Sequence, residues 1–304
     1  MLEFPIKLAF CAPSRTPRDA DSIPRIESFF TSRGAEVFFD EACSQNVKQF
    51  SGTDEARAAS FIHAVDTGAS LVMPIRGGYG LSRILGAIDY DYLARKNPIF
   101  CGYSDFTAFN LAYFAKTGKV TFQGPAGTDF IDEPPYATLQ SFKNALFNQE
   151  WVLSFTSKSA PKLDFEGTLW GGNLSMITSL VGSPYLPIID NGILFLEDGN
   201  ERAYRIERML LTLLHAGVLA RQRVILLGDF RDADPVRPRE YDFLLSDVLE
   251  FLVAALPDTV IITGLPFGHD KLRATIPVGA KARIRTEKGY VLMTSKDKPT
   301  ISLG

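Results

Sequence analysis

Five short β-rich runs punctuate the first half of this chain: Ile6–Cys11, Glu36–Phe39, Leu71–Pro74, Ile99–Cys101 and Val120–Phe122. Helical patterning lies between them. Ser22-Ile-Pro24 opens a helix to Ser32, and Thr53-Asp54-Glu55 supplies the cap and acidic first turn of one ending near Gly68. A third follows Gly80 through Leu85, and a fourth covers Phe106–Thr117. Strands of this length alternating with helices predict an α/β fold, a parallel sheet with helices on both faces. Ligands gather at the carboxyl ends of such strands. The two most distinctive loops, Arg76-Gly-Gly-Tyr-Gly80 and Gly102-Tyr-Ser-Asp105, both fall there.

Composition shifts at Asp132–Tyr136 and Ser154–Asp164 divide the chain into an N-terminal domain (1–140), a linker (141–165) and a C-terminal domain (166–304). The second half reads as mixed α/β. Thr168–Asn173 precedes a short helix to Val181, and strands are expected at Gly192–Leu196, Arg223–Gly228 and Val260–Thr263. Tyr204–His215 and Tyr241–Ala255 read as helices. Arg283–Arg285 and Tyr290–Met293, joined across Glu287-Lys-Gly289, read as a closing hairpin.

A formal charge of −3 over 304 residues gives no basic footprint for nucleic acid. Cys11, Cys43 and Cys101 are widely spaced and odd in number, which fits reduced, buried thiols and neither a disulfide framework nor a metal site. The longest uncharged run, Gly167 to Ile189, contains four glycines, two prolines and Asn173, so it reads as loop and short helix inside a protein. The N-terminal residues hold too few apolar positions for a signal peptide. A soluble, cytoplasmic protein with no membrane partner is the expectation.

Ser104 sits at a sharp strand-to-helix turn, where a hydroxyl stands clear of the backbone and the helix N-terminus suits an oxyanion. The same position also suits a plain helix cap. Of the three histidines, His63 reads as a helix-face residue and His215 as a cation at a helix C-terminus. His269 lies in a loop after a buried strand, with Gly264 and Pro266 fixing the backbone. Glu197 ends the apolar run Ile193–Leu196, where a carboxylate can orient an imidazole; Glu201 is its rival on spacing alone. Together, Ser104, Glu197 and His269 have the logic of an activated serine, with the Gly78 and Asp105 N–H groups as oxyanion donors. The glycine loop lacks the Lys-Ser/Thr ending of a phosphate cradle.

Six motifs occur in order: Arg76-Gly-Gly-Tyr-Gly80, Gly102-Tyr-Ser-Asp105, Phe122-Gln-Gly-Pro125, Leu169-Trp-Gly-Gly-Asn173, Leu196-Glu-Asp198 and Gly264-Leu-Pro-Phe-Gly-His269. From about Leu8 to Gly279 the chain resembles the LD-carboxypeptidase family of serine peptidases, which includes the microcin C immunity proteins. The resemblance implies a catalytic triad of Ser104, Glu197 and His269 and favours Glu197 over Glu201. It also implies a flavodoxin-like (amidotransferase-like) N-terminal domain, a mixed C-terminal domain, a homodimer, and no metal or other cofactor. The implied activity is release of the terminal D-alanine from murein tetrapeptides during cytoplasmic cell-wall recycling. Phe106 stands where the Gly-x-Ser-x-Gly elbow of other hydrolases has glycine, a residue this family does not require.

An exopeptidase must also recognise a terminal carboxylate, for which Arg76 and Asn173 are candidates, with Trp170 as a pocket wall. An aminoacyl-nucleotide substrate of the microcin C type would instead need an aromatic stacking surface, Trp170 or Tyr79. A non-catalytic muropeptide binder on the same scaffold would be expected to have lost part of the triad. An α/β-hydrolase shares the order Ser-acid-His, but its oxyanion motif is absent.

Overall fold

The fold, a computed structural model, is described for residues 3–270 and 272–302. Its elements in chain order are β1 (Lys7–Cys11), α1 (Ser22–Thr31), β2 (Glu36–Phe39), α2 (Asp54–Asp66), β3 (Leu71–Pro74), α3 (Tyr90–Lys96), β4 (Ile99–Phe100), α4 (Thr107–Thr117) and β5 (Thr121–Gln123). These are followed by α5 (Tyr136–Phe147), β6 (Trp151–Thr156), β7 (Leu163–Asn173), α6 (Leu174–Ser179), β8 (Gly192–Gly199), α7 (Ala203–His215) and β9 (Gln222–Arg231). The last are α8 (Leu245–Ala255), β10 (Val260–Thr263), β11 (Ile276–Val278), β12 (Ala280–Glu287) and β13 (Tyr290–Ser295).

The first sheet is parallel in the order β2-β1-β3-β4, with Leu8 opposite both Val37 and Leu71. A bridge from Cys101 to Phe122 carries the order on to β5, as in a flavodoxin-like sheet. In that arrangement the chain leaves β1 and β3 toward opposite sides, which opens a crevice between the loops that follow them. Apolar residues fill both faces: Phe10, Phe30 and Phe130 on one, Phe61, Phe100 and Phe109 on the other, all buried.

The second sheet is mixed, in the order β10-β9-β8-β7-β12-β13-β6. Strands β7 to β10 run parallel, so their carboxyl ends share one edge; β12, β13 and β6 add antiparallel. The two halves are stitched by β5 pairing with β11, Gln123 opposite Ile276. Their parallel strands thereby present carboxyl ends to a common junction.

Several local expectations need correction. No α-helix follows Gly80; two short 3-10 turns, Leu81–Arg83 and Leu85–Ala87, occupy that stretch, and α3 comes after them. Asp89 starts α3 by accepting from Tyr92 N at 2.9 Å. Helix α8 begins at Leu245 and not at Tyr241, because the Asp247 carboxylate accepts from Leu244 N at 2.7 Å. Residues 141–165 are not a connector throughout: they hold the end of α5, all of β6 and the start of β7. Of the Ser, Lys and Pro residues that suggested a linker there, Ser154 lies within β6, and Ser157, Lys158, Ser159, Pro161 and Lys162 form the turn between β6 and β7. No helix among the described residues is long and apolar enough to cross a membrane.

Two glycines let β7 approach its neighbours. A Cβ on Gly171 (φ +142°) would lie 1.9 Å from the Phe195 carbonyl oxygen, and one on Gly172 (φ +141°) 2.2 Å from Gln123 Nε2. The first clash is with backbone in a paired strand and has no cheap escape. Gly171→Ala is therefore expected to cost on the order of 3 kcal/mol of stability or more, read as a lower denaturant midpoint. An unchanged midpoint would contradict this packing.

Candidate active site

Ser104 ends the turn that leaves the first sheet, at φ +61°, in the left-handed region. A residue with a Cβ pays on the order of 1–3 kcal/mol to stay there, so its surroundings must hold it. Asn110 of α4 reaches back to do so, its Nδ2 donating to the carbonyls of Gly102 and Phe122 at 3.0 and 3.3 Å. Phe106 is fully buried against Phe61 and Phe109, so α4 starts from a fixed anchor. Gly77 lies over the serine, and a Cβ there would come within 3.1 Å of Ser104 Cβ.

Asp105 is buried and its carboxylate does structural duty. Its Oδ2 accepts from Ser14 Oγ at 2.7 Å and Leu81 N at 3.0 Å, tying the loops after β1 and β3 beneath the serine. Burial raises its pKa, opposed by those two hydrogen bonds and by nearby arginines.

Glu197 lies within β8, not beyond its end, and is fully buried. Strand register places it beside Asn173 at the end of β7. Asn173 Nδ2 donates to Glu197 Oε1 and to Asp198 Oδ1, each at 3.2 Å, while Asn173 Oδ1 accepts from Met176 N at 3.1 Å to cap α6. Asp198 also accepts from Ser175 N and Oγ at 2.9 and 2.7 Å. Burial pushes its pKa up against those bonds.

His269 follows β10 on the loop begun by Gly264. Asp229 N donates to Phe267 O at 2.9 Å, and Gly268 packs so closely on Asp229 that a Cβ would lie 2.6 Å from Asp229 Cβ. The imidazole spans the junction: Nδ1 is 2.7 Å from Glu197 Oε2 and Nε2 is 3.1 Å from Ser104 Oγ. With Nδ1–H donating to the carboxylate, Nε2 is left to accept the serine proton. Burial pushes the His269 pKa down, but the Glu197 hydrogen bond and charge outweigh it and the net shift is upward.

A cavity of about 500 Å³ opens over this trio, bordered by Arg18, Arg76, Gly78, Asn173, Met176 and Asn200 among others. Arg18 and Arg76 enter from the loops after β1 and β3, the crevice that the strand order creates. Arg76 Nη1 donates to Thr16 O at 2.8 Å. Burial, then the charges of Arg18 and Arg15, hold the Arg76 guanidinium below its ordinary pKa.

The structure thus brings Ser104, Glu197, His269, Gly78, Asp105, Arg76 and Asn173 to one place. Trp170 is not among them. It is fully buried with Nε1 donating to Gln222 Oε1 at 2.9 Å, and it borders a separate apolar cavity. Both faces of β7 are covered at that point, so an aromatic there packs inside. Glu201 pairs with Arg205 at 3.4 Å, not with the imidazole. His63 Nδ1 lies 2.7 Å from Asp40 Oδ2, and His215 ends α7. The three cysteines are free and buried.

Four residues escaped sequence reasoning. Thr107 and Gln123 weld the halves together: Gln123 Nε2 donates to Thr107 Oγ1 at 2.8 Å and Gly171 O at 3.2 Å, and Thr107 Oγ1 also accepts from Asn173 N at 3.1 Å. Tyr103 lies against the imidazole, and Arg273 stacks on the Tyr103 ring. Gln123 and Tyr103 had a visible signal, their places in Phe122-Gln-Gly-Pro125 and Gly102-Tyr-Ser-Asp105; Thr107 and Arg273 had none.

A family model for the LD-carboxypeptidase N-terminal domain matches residues 8–124, and one for the LD-carboxypeptidase C-terminal domain matches residues 166–284. A probable murein peptide carboxypeptidase of Bacillus subtilis is 34% identical over 288 residues, 91% of this chain and 88% of the relative. The microcin C7 self-immunity protein MccF of Escherichia coli is 29% identical over 281 residues, 81% of this chain and 80% of the relative. Among solved structures, a muramoyltetrapeptide carboxypeptidase from Oxalobacter formigenes matches with a TM-score of 0.88 at 36% identity, covering 97% of this chain and 100% of the other. MccF in complex with glutamyl sulfamoyl guanosine matches with a TM-score of 0.83 at 26% identity, covering 98% of each chain.

Proposed function

The chain belongs to the LD-carboxypeptidase family, and on that premise we propose that it is a serine-type carboxypeptidase releasing the terminal D-alanine from murein tetrapeptides. The observation that carries this reading is the relay from Ser104 Oγ through His269 Nε2 and Nδ1 to Glu197 Oε2, at 3.1 and 2.7 Å.

In the proposed mechanism Ser104 Oγ attacks the carbonyl carbon of the L,D-peptide bond while its proton passes to His269 Nε2. Glu197 stabilises the imidazolium that forms. The N–H groups of Gly78 and Asp105 receive the negative charge that develops on the carbonyl oxygen. The tetrahedral species collapses, the C–N bond breaks, and His269 gives its proton to the departing amine of D-alanine. Water, deprotonated by the same imidazole, then attacks the ester on Ser104 and frees the shortened peptide.

Arg76, with Arg18 beside it, is the proposed receiver of the terminal carboxylate. A guanidinium partly buried among like charges is relieved by an arriving anion. The reading includes a homodimer acting in cytoplasmic cell-wall recycling.

The relatedness to MccF supports a second substrate class, aminoacyl-nucleotide conjugates. Trp170 is buried and gives them no stacking surface. Tyr79, about half exposed on the glycine loop, is the aromatic left for that role. Offering purified protein both murein tetrapeptide and a glutamyl sulfamoyl nucleotide decides between the two. We expect free D-alanine and a tripeptide product, with the nucleotide conjugate turned over at least tenfold more slowly. Cleavage of the conjugate alone would replace the murein assignment with the second one, and binding of muropeptide without turnover of either would make the protein a binder.

A further inference from the structure

We propose that Arg273 is the positioning residue that holds the general base and the nucleophile turn in register across the junction of the two halves. The inference rests on the serine-hydrolase reading and extends it to a residue that touches neither substrate nor reacting atoms.

Arg273 is 4% exposed, although it carries a permanent charge. Each of its three guanidinium nitrogens has a partner. Nε donates to Gly268 O at 2.8 Å and Nη2 to Asp270 O at 3.2 Å, so the carbonyls on both sides of His269 hang from one side chain. Nη1 lies 3.1 Å from Asp129 Oδ2 in an ion pair. The guanidinium carbon sits 3.6 Å from the centroid of the Tyr103 ring, and that ring lies 5.3 Å from the imidazole at an interplanar angle of 56°. Tyr103 is the residue immediately before Ser104, and its hydroxyl reaches Asp129 Oδ1 at 3.4 Å.

Asp129, from the 3-10 turn that follows β5, and Arg273, from the loop before β11, therefore form a clamp. One arm fixes the backbone on either side of His269; the other presses the tyrosine that leads into the strained serine. Only an arginine can do all of this at once. A planar fork donates in several in-plane directions while its face stacks on an aromatic ring; an ammonium has no such face. The arrangement also has an electrostatic signature. Arg273 is the cation that opposes protonation of His269, while Glu197 and Asp198 from β8 favour it. Among the described residues, Asp229 on β9, Asp270 next to His269 in the chain, Tyr103 against the ring face, and Arg18 and Arg76 across the cavity are its further ionisable neighbours.

The test uses a fluorophosphonate that phosphonylates Ser104, because its rate depends on the base but not on which natural substrate is right. The rate constant per active site is measured against pH for wild type, Arg273→Gln and Arg273→Lys. Arg273→Gln is expected to slow labelling by about 10- to 100-fold, the loss that accompanies a displacement of catalytic groups by about 1 Å. Its acid limb is expected to move to higher pH, since the charge that holds the His269 pKa down has gone. Arg273→Lys is expected to return the limb to the wild-type position while the rate stays depressed. Variants that lose labelable protein but keep the wild-type rate constant and pH midpoint would overturn the proposal and leave the serine-hydrolase reading intact. Should Arg273→Gln fail to fold, a wild-type rate in Arg273→Lys alone overturns it. No labelling of wild type at all would bring down both.

Discussion

Ser104→Ala is expected to reduce tetrapeptide hydrolysis by roughly 10⁴- to 10⁶-fold, the range seen when a serine nucleophile that works with an imidazole is removed. The fold should not notice. The variant keeps Cβ, so the left-handed backbone at φ +61° is no better and no worse tolerated. Among the described residues the hydroxyl makes one hydrogen bond, to a part-buried ring nitrogen that can turn to water. Chemical denaturation should therefore give a midpoint within about 0.5 kcal/mol of wild type. A large loss of activity with an unchanged midpoint assigns the hydroxyl a chemical role; the cap that the sequence also allowed is not formed, since neither the 3-10 turn at Ser104 nor α4 has a side-chain cap. Activity within tenfold of wild type would remove Ser104 from the chemistry.

Glu197→Gln is the second variant with a large expected effect, about 10⁴-fold in kcat. The amide is nearly isosteric, but Asn173 Nδ2 already donates to one oxygen of Glu197. A glutamine that keeps its carbonyl toward Asn173 turns its NH2 toward His269 Nδ1. The imidazole must then carry its proton on Nε2, where it can no longer accept from Ser104. A pH profile adds an independent reading. Glu197 raises the His269 pKa through its hydrogen bond and its charge, so removing the charge lowers that pKa. The base needs the neutral imidazole, and the acid limb of the residual kcat/KM therefore shifts to lower pH than in wild type. This direction is opposite to that expected for Arg273→Gln, so the two variants check one another. An unmoved limb and near-normal kcat in Glu197→Gln would transfer the acid's role elsewhere.

The alternation of short strands with helices was enough to predict the parallel sheet and to put two glycine-bearing loops at its carboxyl edge. That inference is strong because it needs only local periodicity. The site is harder. Ser104 and His269 stand 165 residues apart, and nothing local says that a loop of the second sheet meets the first. The six ordered motifs supplied that link through family resemblance; composition and spacing did not. Trp170 shows where pattern reading stops. A strand covered on both faces carries apolar residues on each, so its sequence does not tell which way an aromatic points. The supposed linker failed for a related reason: β6 and the start of β7 alternate buried with exposed residues, and the polar members made the stretch look like loop. Arg273 lies in none of the six motifs, and Tyr103, although inside one, gave no hint of its role, because the importance of both lies in a stacking geometry between distant segments, not in residue type.

The measurement that tests the central claim most directly is peptide mapping of the fluorophosphonate-treated protein, wild type beside His269→Ala. The account predicts a single adduct on the peptide containing Ser104, formed rapidly in wild type and at least 10²-fold more slowly without the imidazole. An adduct on another residue, or labelling of Ser104 at the same rate in both proteins, would contradict it.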